Sequence, residues 1–255
     1  PDGIGTMVWQ GAIPSAPTST HSPAPTSAKP STRASVQTPQ LSDSFDVSSL
    51  APQWEWNYQP RNEMWSLTEK PGALRLKAFR PLEPDNLFKA GNTLTQRCFR
   101  TSHNEVVVKI DTRAMADGQK AGLCLYSTTY ALLGVTQTGK TRHITFETGP
   151  RKKSESNAAQ PSDLHSSDTP PSGLRLTGKW FWIKATWGLD GIARFSYSTN
   201  GRTYTPVGEP YQLAWGYYRG SRIGLYTYNN LTDNGHIDID KFTYTINHQH
   251  TTQMR

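Results

Sequence analysis

Hydrophobic side chains in this chain recur in short runs of strand character, and turn residues separate the runs. Trp54 and Trp56 stand two apart, which puts both rings on one face of an extended segment. Residues 64–68, 73–77, 93–99, 105–111, 121–127, 130–136 and 142–147 are each rich in β-branched or aromatic residues. Lys70-Pro71-Gly72, Asp117-Gly118 and Thr138-Gly139-Lys140 supply the turn chemistry between them. The series continues at 179–187, 193–198, 222–228 and 236–246, and Asn200-Gly201 signals a hairpin between residues 195–198 and 203–205. In the run from 179 to 187, Trp180 and Trp182 share one face while Phe181, Ile183 and Trp187 share the other, the pattern of a strand buried on both sides. No window sustains an amphipathic helix. About a dozen strands predict an all-β fold, a two-sheet antiparallel β-sandwich.

Two polar tracts divide the chain. Residues 11–40 are dominated by Pro, Ser, Thr and Ala with almost nothing to bury, so residues 1–40 read as the tail of an upstream region followed by a semi-extended linker. Such a linker leads us to expect a further domain upstream. The sandwich is expected over 41–246, interrupted by a polar loop at 149–172, with a C-terminal tail at 247–255.

Composition narrows the function classes. The chain has 255 residues, a formal net charge of +7 and a pI near 9.4. Basic residues are scattered, and only Arg151-Lys152-Lys153 clusters, so no phosphate-tracking stripe points to a nucleic-acid partner. No apolar run approaches the roughly 18 residues of a membrane span, so no membrane partner is expected. Cys98 and Cys124 are too few for a disulfide framework or a structural zinc site; they read as buried thiols or as a single bridge. His248 and His250 are too sparse for a metal site, and Asn230-Leu231-Thr232 is a glycosylation sequon only in a eukaryotic secretory setting.

A set of motifs in fixed order carries a family resemblance. Asp43-Ser44-Phe45-Asp46, Trp54-Glu55-Trp56-Asn57, Pro71-Gly72-Ala73-Leu74-Arg75-Leu76, the segment 92–97, Ala121-Gly122-Leu123, Tyr197-Ser198-Thr199-Asn200-Gly201, Gly224-Leu225-Tyr226 and Asp238-Ile239-Asp240-Lys241-Phe242 follow one another. Together they resemble the C-terminal concanavalin A-like β-sandwich, a jelly roll, of family 43 glycoside hydrolases of the β-xylosidase and α-L-arabinofuranosidase type. The resemblance implies an accessory domain whose partner is an N-terminal five-bladed propeller carrying the catalytic carboxylates, with hemicellulose oligosaccharides as the parent enzyme's substrates. It leads us to expect a parent protein that is extracellular or periplasmic.

Glycoside hydrolysis needs two carboxyl groups flanking the bond, roughly 5 to 9.5 Å apart, one with its pKa raised. Asp238 and Asp240 share a face of one strand, and one strand cannot flank a sugar, so no catalytic residue is expected in this chain. The resemblance places the first acidic segment near the last strand, which makes Asp43, Asp46 and Asp240 candidate calcium ligands; turn capping and surface charge are the competing reading. Trp215, Tyr217 and Tyr218 lie in a loop-like stretch and are the candidate sugar-stacking rings, while the other aromatics read as core. In relatives a sandwich loop borders the propeller's pocket, and residues 85–91 stand in that place. Phe88 is the candidate contacting ring, with packing under its own loop as the alternative. Asn92, Gln96 and Arg97 are candidates for hydrogen bonds across the domain interface or within the sheet. The expected function is an accessory module that stabilises the propeller and borders its active site. The rival is an autonomous carbohydrate-binding module.

Overall fold

The computed structural model describes residues 40–150, 174–214 and 219–247. The expected linker, most of the polar loop, the tail with His248 and His250, and the candidate rings Trp215, Tyr217 and Tyr218 lie outside the described residues.

The described residues form thirteen strands: β1 (Glu55–Trp56), β2 (Trp65–Ser66), β3 (Leu74–Lys77), β4 (Leu94–Arg97), β5 (Asn104–Asp111), β6 (Gln119–Tyr126), β7 (Thr129–Thr138), β8 (Thr141–Pro150), β9 (Trp180–Trp187), β10 (Ile192–Ser198), β11 (Thr205–Gln212), β12 (Arg222–Asn229) and β13 (His236–Ile246). They pair antiparallel in two sheets. One has six strands in the order β1-β4-β12-β6-β7-β8, the other seven in the order β11-β10-β9-β5-β13-β3-β2. The only helical pieces among the described residues are single 3-10 turns at Asn62–Met64 and Leu87–Lys89. The all-β sandwich expected from the alternating pattern is the fold observed.

Period-two alternation decides what goes between the sheets. Val106, Val108 and Ile110 of β5 point inward with Phe181, Ile183, Ala185 and Trp187 of β9, and Leu123, Leu125, Ile223 and Leu225 meet them from the other sheet. Trp54 closes one edge of this core, packed on Phe45 and on Phe242 with ring centroids 4.9 Å apart in the second pair. Trp56 leans on Trp65 at 5.1 Å, joining the edge strands of the two sheets. Cys98 lies in the same core, and both cysteines are buried free thiols rather than a bridge. Burial pushes both thiols well above their ordinary range.

Strand β11 reaches further than the pattern suggested. Its Pro206, Gly208 and Pro210 weaken the strand signal, yet a sheet edge tolerates them because a proline there leaves no ladder bond unmade.

Candidate functional site

The outer faces of the two sheets have opposite characters. On the six-stranded sheet, β12 is buried along its whole length, because the connection from β3 to β4 folds back over it. Leu87, Phe88 and Ala90 from that connection cover Cys124, Tyr126, Leu132, Tyr226 and Tyr228 in a second apolar cluster. Phe88 is 5% exposed, and its ring meets Tyr126 and Tyr130 edge-on at 5.9 and 5.7 Å. Gly134 makes room for the covered Tyr226: a Cβ there would stand 2.6 Å from the Tyr226 hydroxyl and closer still to the Ala121 carbonyl.

The covering connection is tied down at several points. The Asn86 side chain accepts from the Phe88 amide at 3.1 Å and donates to Glu83 Oε2 at 2.7 Å. Asp85 accepts from the Asn230 side chain at 2.7 Å and pairs with Lys120, which also holds Glu147, each at 2.9 Å. Burial pushes the Lys120 ammonium down, but Glu147 and Asp85 outweigh it and hold the pKa above its ordinary value. The apolar side chain this connection turns outward is Leu82, 83% exposed.

Two of the candidate interface residues pair inside the domain. Asn92 adopts a positive φ of 51°, which an asparagine tolerates, and its side chain accepts from Arg61 N and donates to Arg61 O, both at 2.9 Å. Gln96 is buried and donates through Nε2 to Leu41 O at 2.9 Å. Arg97 alone of the three is exposed, opposite Arg222 in the β4–β12 ladder. Arg222 is 4% exposed and donates through Nη2 to Glu55 and to Thr95 Oγ1, while Arg219 donates to the same Glu55 oxygen at 3.0 Å. Burial pushes the Glu55 carboxyl up, but the two guanidiniums outweigh it and hold the pKa down. Arg222 Nε is buried with no hydrogen-bond partner.

The candidate calcium ligands are not gathered. Asp43 does lie against the last strand, bridging Phe242. Its carboxylate is already engaged, accepting from the Phe45 amide at 2.8 Å and from Trp54 Nε1 at 2.7 Å. Asp46 accepts from the Ser44 hydroxyl, and Asp240, at a bulge in β13, pairs with Lys109 at 2.6 Å. No group of three or more His, Cys, Asp or Glu residues suited to a metal occurs among the described residues. A hard cation takes six to eight oxygens, and these three carboxylates do not fit that need: each serves a turn or an ion pair.

The seven-stranded sheet brings together a carboxylate pair that sequence reasoning missed. Asp111 of β5 and Asp238 of β13 are direct cross-strand partners on the outer face. Arg75 donates to Asp238 through Nε at 2.8 Å and Nη2 at 3.1 Å, and Arg113 donates to Asp111 at 3.1 and 3.0 Å. Lys70 stands 3.1 Å from Asp238 and 3.6 Å from Asp111. Burial pushes both carboxyls up, yet these cations outweigh it and hold both pKa values below the ordinary range. Neither carboxyl is thereby suited to donate a proton at neutral pH, the task a glycosidase acid must perform.

Beside this pair, Trp180 and Trp182 of β9 lie on the outer face. They alternate with the fully buried Phe181 and Ile183 and are themselves half-buried, so the strand is buried on one side only. Both were expected in the core. Aromatic residues at every position from 180 to 182 hide which face turns inward, and only pairing with β5 decides it.

A family model described as the Beta xylosidase C-terminal Concanavalin A-like domain matches residues 42–245. The chain is 31% identical over 242 residues to a beta-xylosidase of Formosa agariphila, covering 87% of this chain and 38% of that protein. It is 26% identical to a putative beta-xylosidase of Xylanibacter ruminicola, covering 72% and 30%. The chain thus spans less than two fifths of the curated relatives it matches. Among solved structures, a bifunctional GH43-CE protein of Bacteroides eggerthii aligns with a TM-score of 0.68 at 25% identity, over 82% of this chain and 26% of that one. A xylan beta-1,4-xylosidase of Bacillus halodurans, at 19% identity and a TM-score of 0.62 over 82% and 40%, is similar in fold.

Proposed function

The chain belongs to the family of β-xylosidase C-terminal concanavalin A-like domains, and from that premise we propose that it is the non-catalytic module of a family 43-like glycoside hydrolase acting on xylan- or arabinan-type hemicellulose. In this reading the hydrolytic carboxylates belong to an N-terminal propeller domain of the parent protein, and the module stabilises that domain and borders its pocket. The observation that carries the non-catalytic part is the state of the Asp111 and Asp238 pair, both held ionised by Arg75, Arg113 and Lys70. The lengths of the relatives support a larger parent, since this chain covers 38% and 30% of two proteins named as β-xylosidases.

The connection from β3 to β4 is the proposed border of the pocket. Contact with the propeller would run through Leu82 of this connection and the exposed Arg97 at the end of β4, because Phe88 is spent on its own sheet. The purified chain, offered an aryl β-xyloside and an aryl α-L-arabinofuranoside, is expected to release no phenol above the spontaneous rate. Turnover that disappears in Asp238→Asn would overturn the proposal.

A further inference from the structure

The outer face of the seven-stranded sheet combines flat rings, cations and a recess, and nothing in the proposed accessory role uses them. Trp180 and Trp182 stand with centroids 6.5 Å apart, and Lys109 Nζ lies by both, 4.0 Å from the first centroid and 6.0 Å from the second. Lys179 Nζ is 4.3 Å from the Trp180 centroid and Lys70 Nζ 5.6 Å. Lys70 also lines a pocket of about 330 Å³ with Arg75, Arg113, His236 and the two aspartates. The hairpin residue Gly201, at φ +72°, rests against Trp182, where a Cβ would stand 2.8 Å from the indole. The side edge of the platform is therefore set by a tight backbone turn rather than by a mobile side chain.

Cation–π contacts on a sheet surface can be purely structural. Here Lys70, Arg75, Lys109, Arg113 and Lys179 outnumber by one the carboxylates paired with them, Asp111, Asp238, Asp240 and Glu69, around one indole pair. The surplus positive charge lies within reach of half-exposed rings. A flat ring takes the apolar face of a pyranose, and surplus ammonium and guanidinium groups take a carboxylate. We propose that this face binds an acidic oligosaccharide, with a pyranose unit against Trp182, whose nearest cation is 6.0 Å away, and a uronate carboxylate at Lys179, Lys70 and Arg113. The choice of an acidic xylan among such glycans rests on the function proposed above, whereas the acidic-glycan chemistry rests on the face itself.

Calorimetric titration of the whole 255-residue chain tests this, using a xylo-oligosaccharide with a glucuronic acid branch and the unbranched oligosaccharide of equal length. The acidic probe is expected to give saturable heat that weakens as salt rises toward molar strength, where screening shortens to about 3 Å. The neutral probe should give none. Trp182→Ala should weaken binding about tenfold by loss of stacking. Lys179→Ala, at a side chain 39% exposed and so without risk to folding, should weaken it about threefold. Absence of heat with the acidic probe would overturn the inference, as would equal binding of both probes or of a single-stranded oligonucleotide. An oligogalacturonide that binds where the branched xylo-oligosaccharide does not would uphold the face and remove the xylan reading. Aryl-glycoside turnover tests the accessory role separately and does not move with any of these outcomes.

Discussion

The six-stranded and seven-stranded sheets share one core but treat their outer faces in opposite ways. One buries Tyr126, Tyr226 and Tyr228 beneath Leu87, Phe88 and Ala90 of the chain's own β3–β4 connection; the other holds Trp180 and Trp182 half-exposed among lysines and paired carboxylates. Aromatic content is thus no guide to which surface meets a ligand. What separates the faces is the cover: an apolar connection was available to one sheet, and surplus charge was left on the other.

The comparison breaks most sharply at Phe88. With its ring buried against Tyr126 and Tyr130, Phe88→Ala should destabilise the isolated chain by about 3 kcal/mol or more, read by urea unfolding. A contact ring reserved for another domain would instead leave that midpoint unmoved. Next in size is Asp238→Asn, which leaves Arg75 and Lys70 short of their partner and should cost about 2 kcal/mol. The same carboxylate sets a pH dependence. Its folded pKa is depressed, so its stabilisation is fully present above the unfolded value near 3.9 and is lost as pH falls through the folded value. Thermal melts should therefore drop as pH falls below the unfolded value in the native chain, and more shallowly in Asp238→Asn.

Smaller effects sharpen the contrast. Lys120→Ala cuts the pins from Asp85 and Glu147 to the covering connection and should cost about 1 kcal/mol. Amide exchange should show the loss first in residues 85–91. Lys179→Ala removes a cation from the open face and should change stability by less than about 0.5 kcal/mol, so its effect, if any, must be read in ligand binding.

The strand inventory was legible because alternation, turn dipeptides and Asn200-Gly201 are local signals, and the hairpin expected at Asn200-Gly201 is found as β10 paired with β11, whereas non-consecutive pairings such as β12 with β4 and β6 carry no local signal. The family resemblance was legible from motif order and agrees with the model matched over residues 42–245. The site residues were far less so. Asn92 and Gln96 look like surface polar groups in the sequence, yet they satisfy backbone atoms of Arg61 and Leu41, partners 31 and 55 positions away. Phe88 and the tyrosines meet only through the fold-back of a connection whose path no periodicity encodes. The Asp111 and Asp238 pair arises from register between strands 127 residues apart, as 238 minus 111 gives. Trp180 and Trp182 were assigned to one face correctly, but which face meets the core depends on the neighbour in the sheet.

The division between a closed face and an open one is tested most directly by amide NMR of the chain titrated with the glucuronate-branched xylo-oligosaccharide. Shifts confined to residues 70–75, 109–113, 179–184, 199–203 and 236–238, with residues 82–92 of the β3–β4 connection silent, are the expected result. Shifts centred on residues 85–92, or no saturable shifts at all, would contradict it.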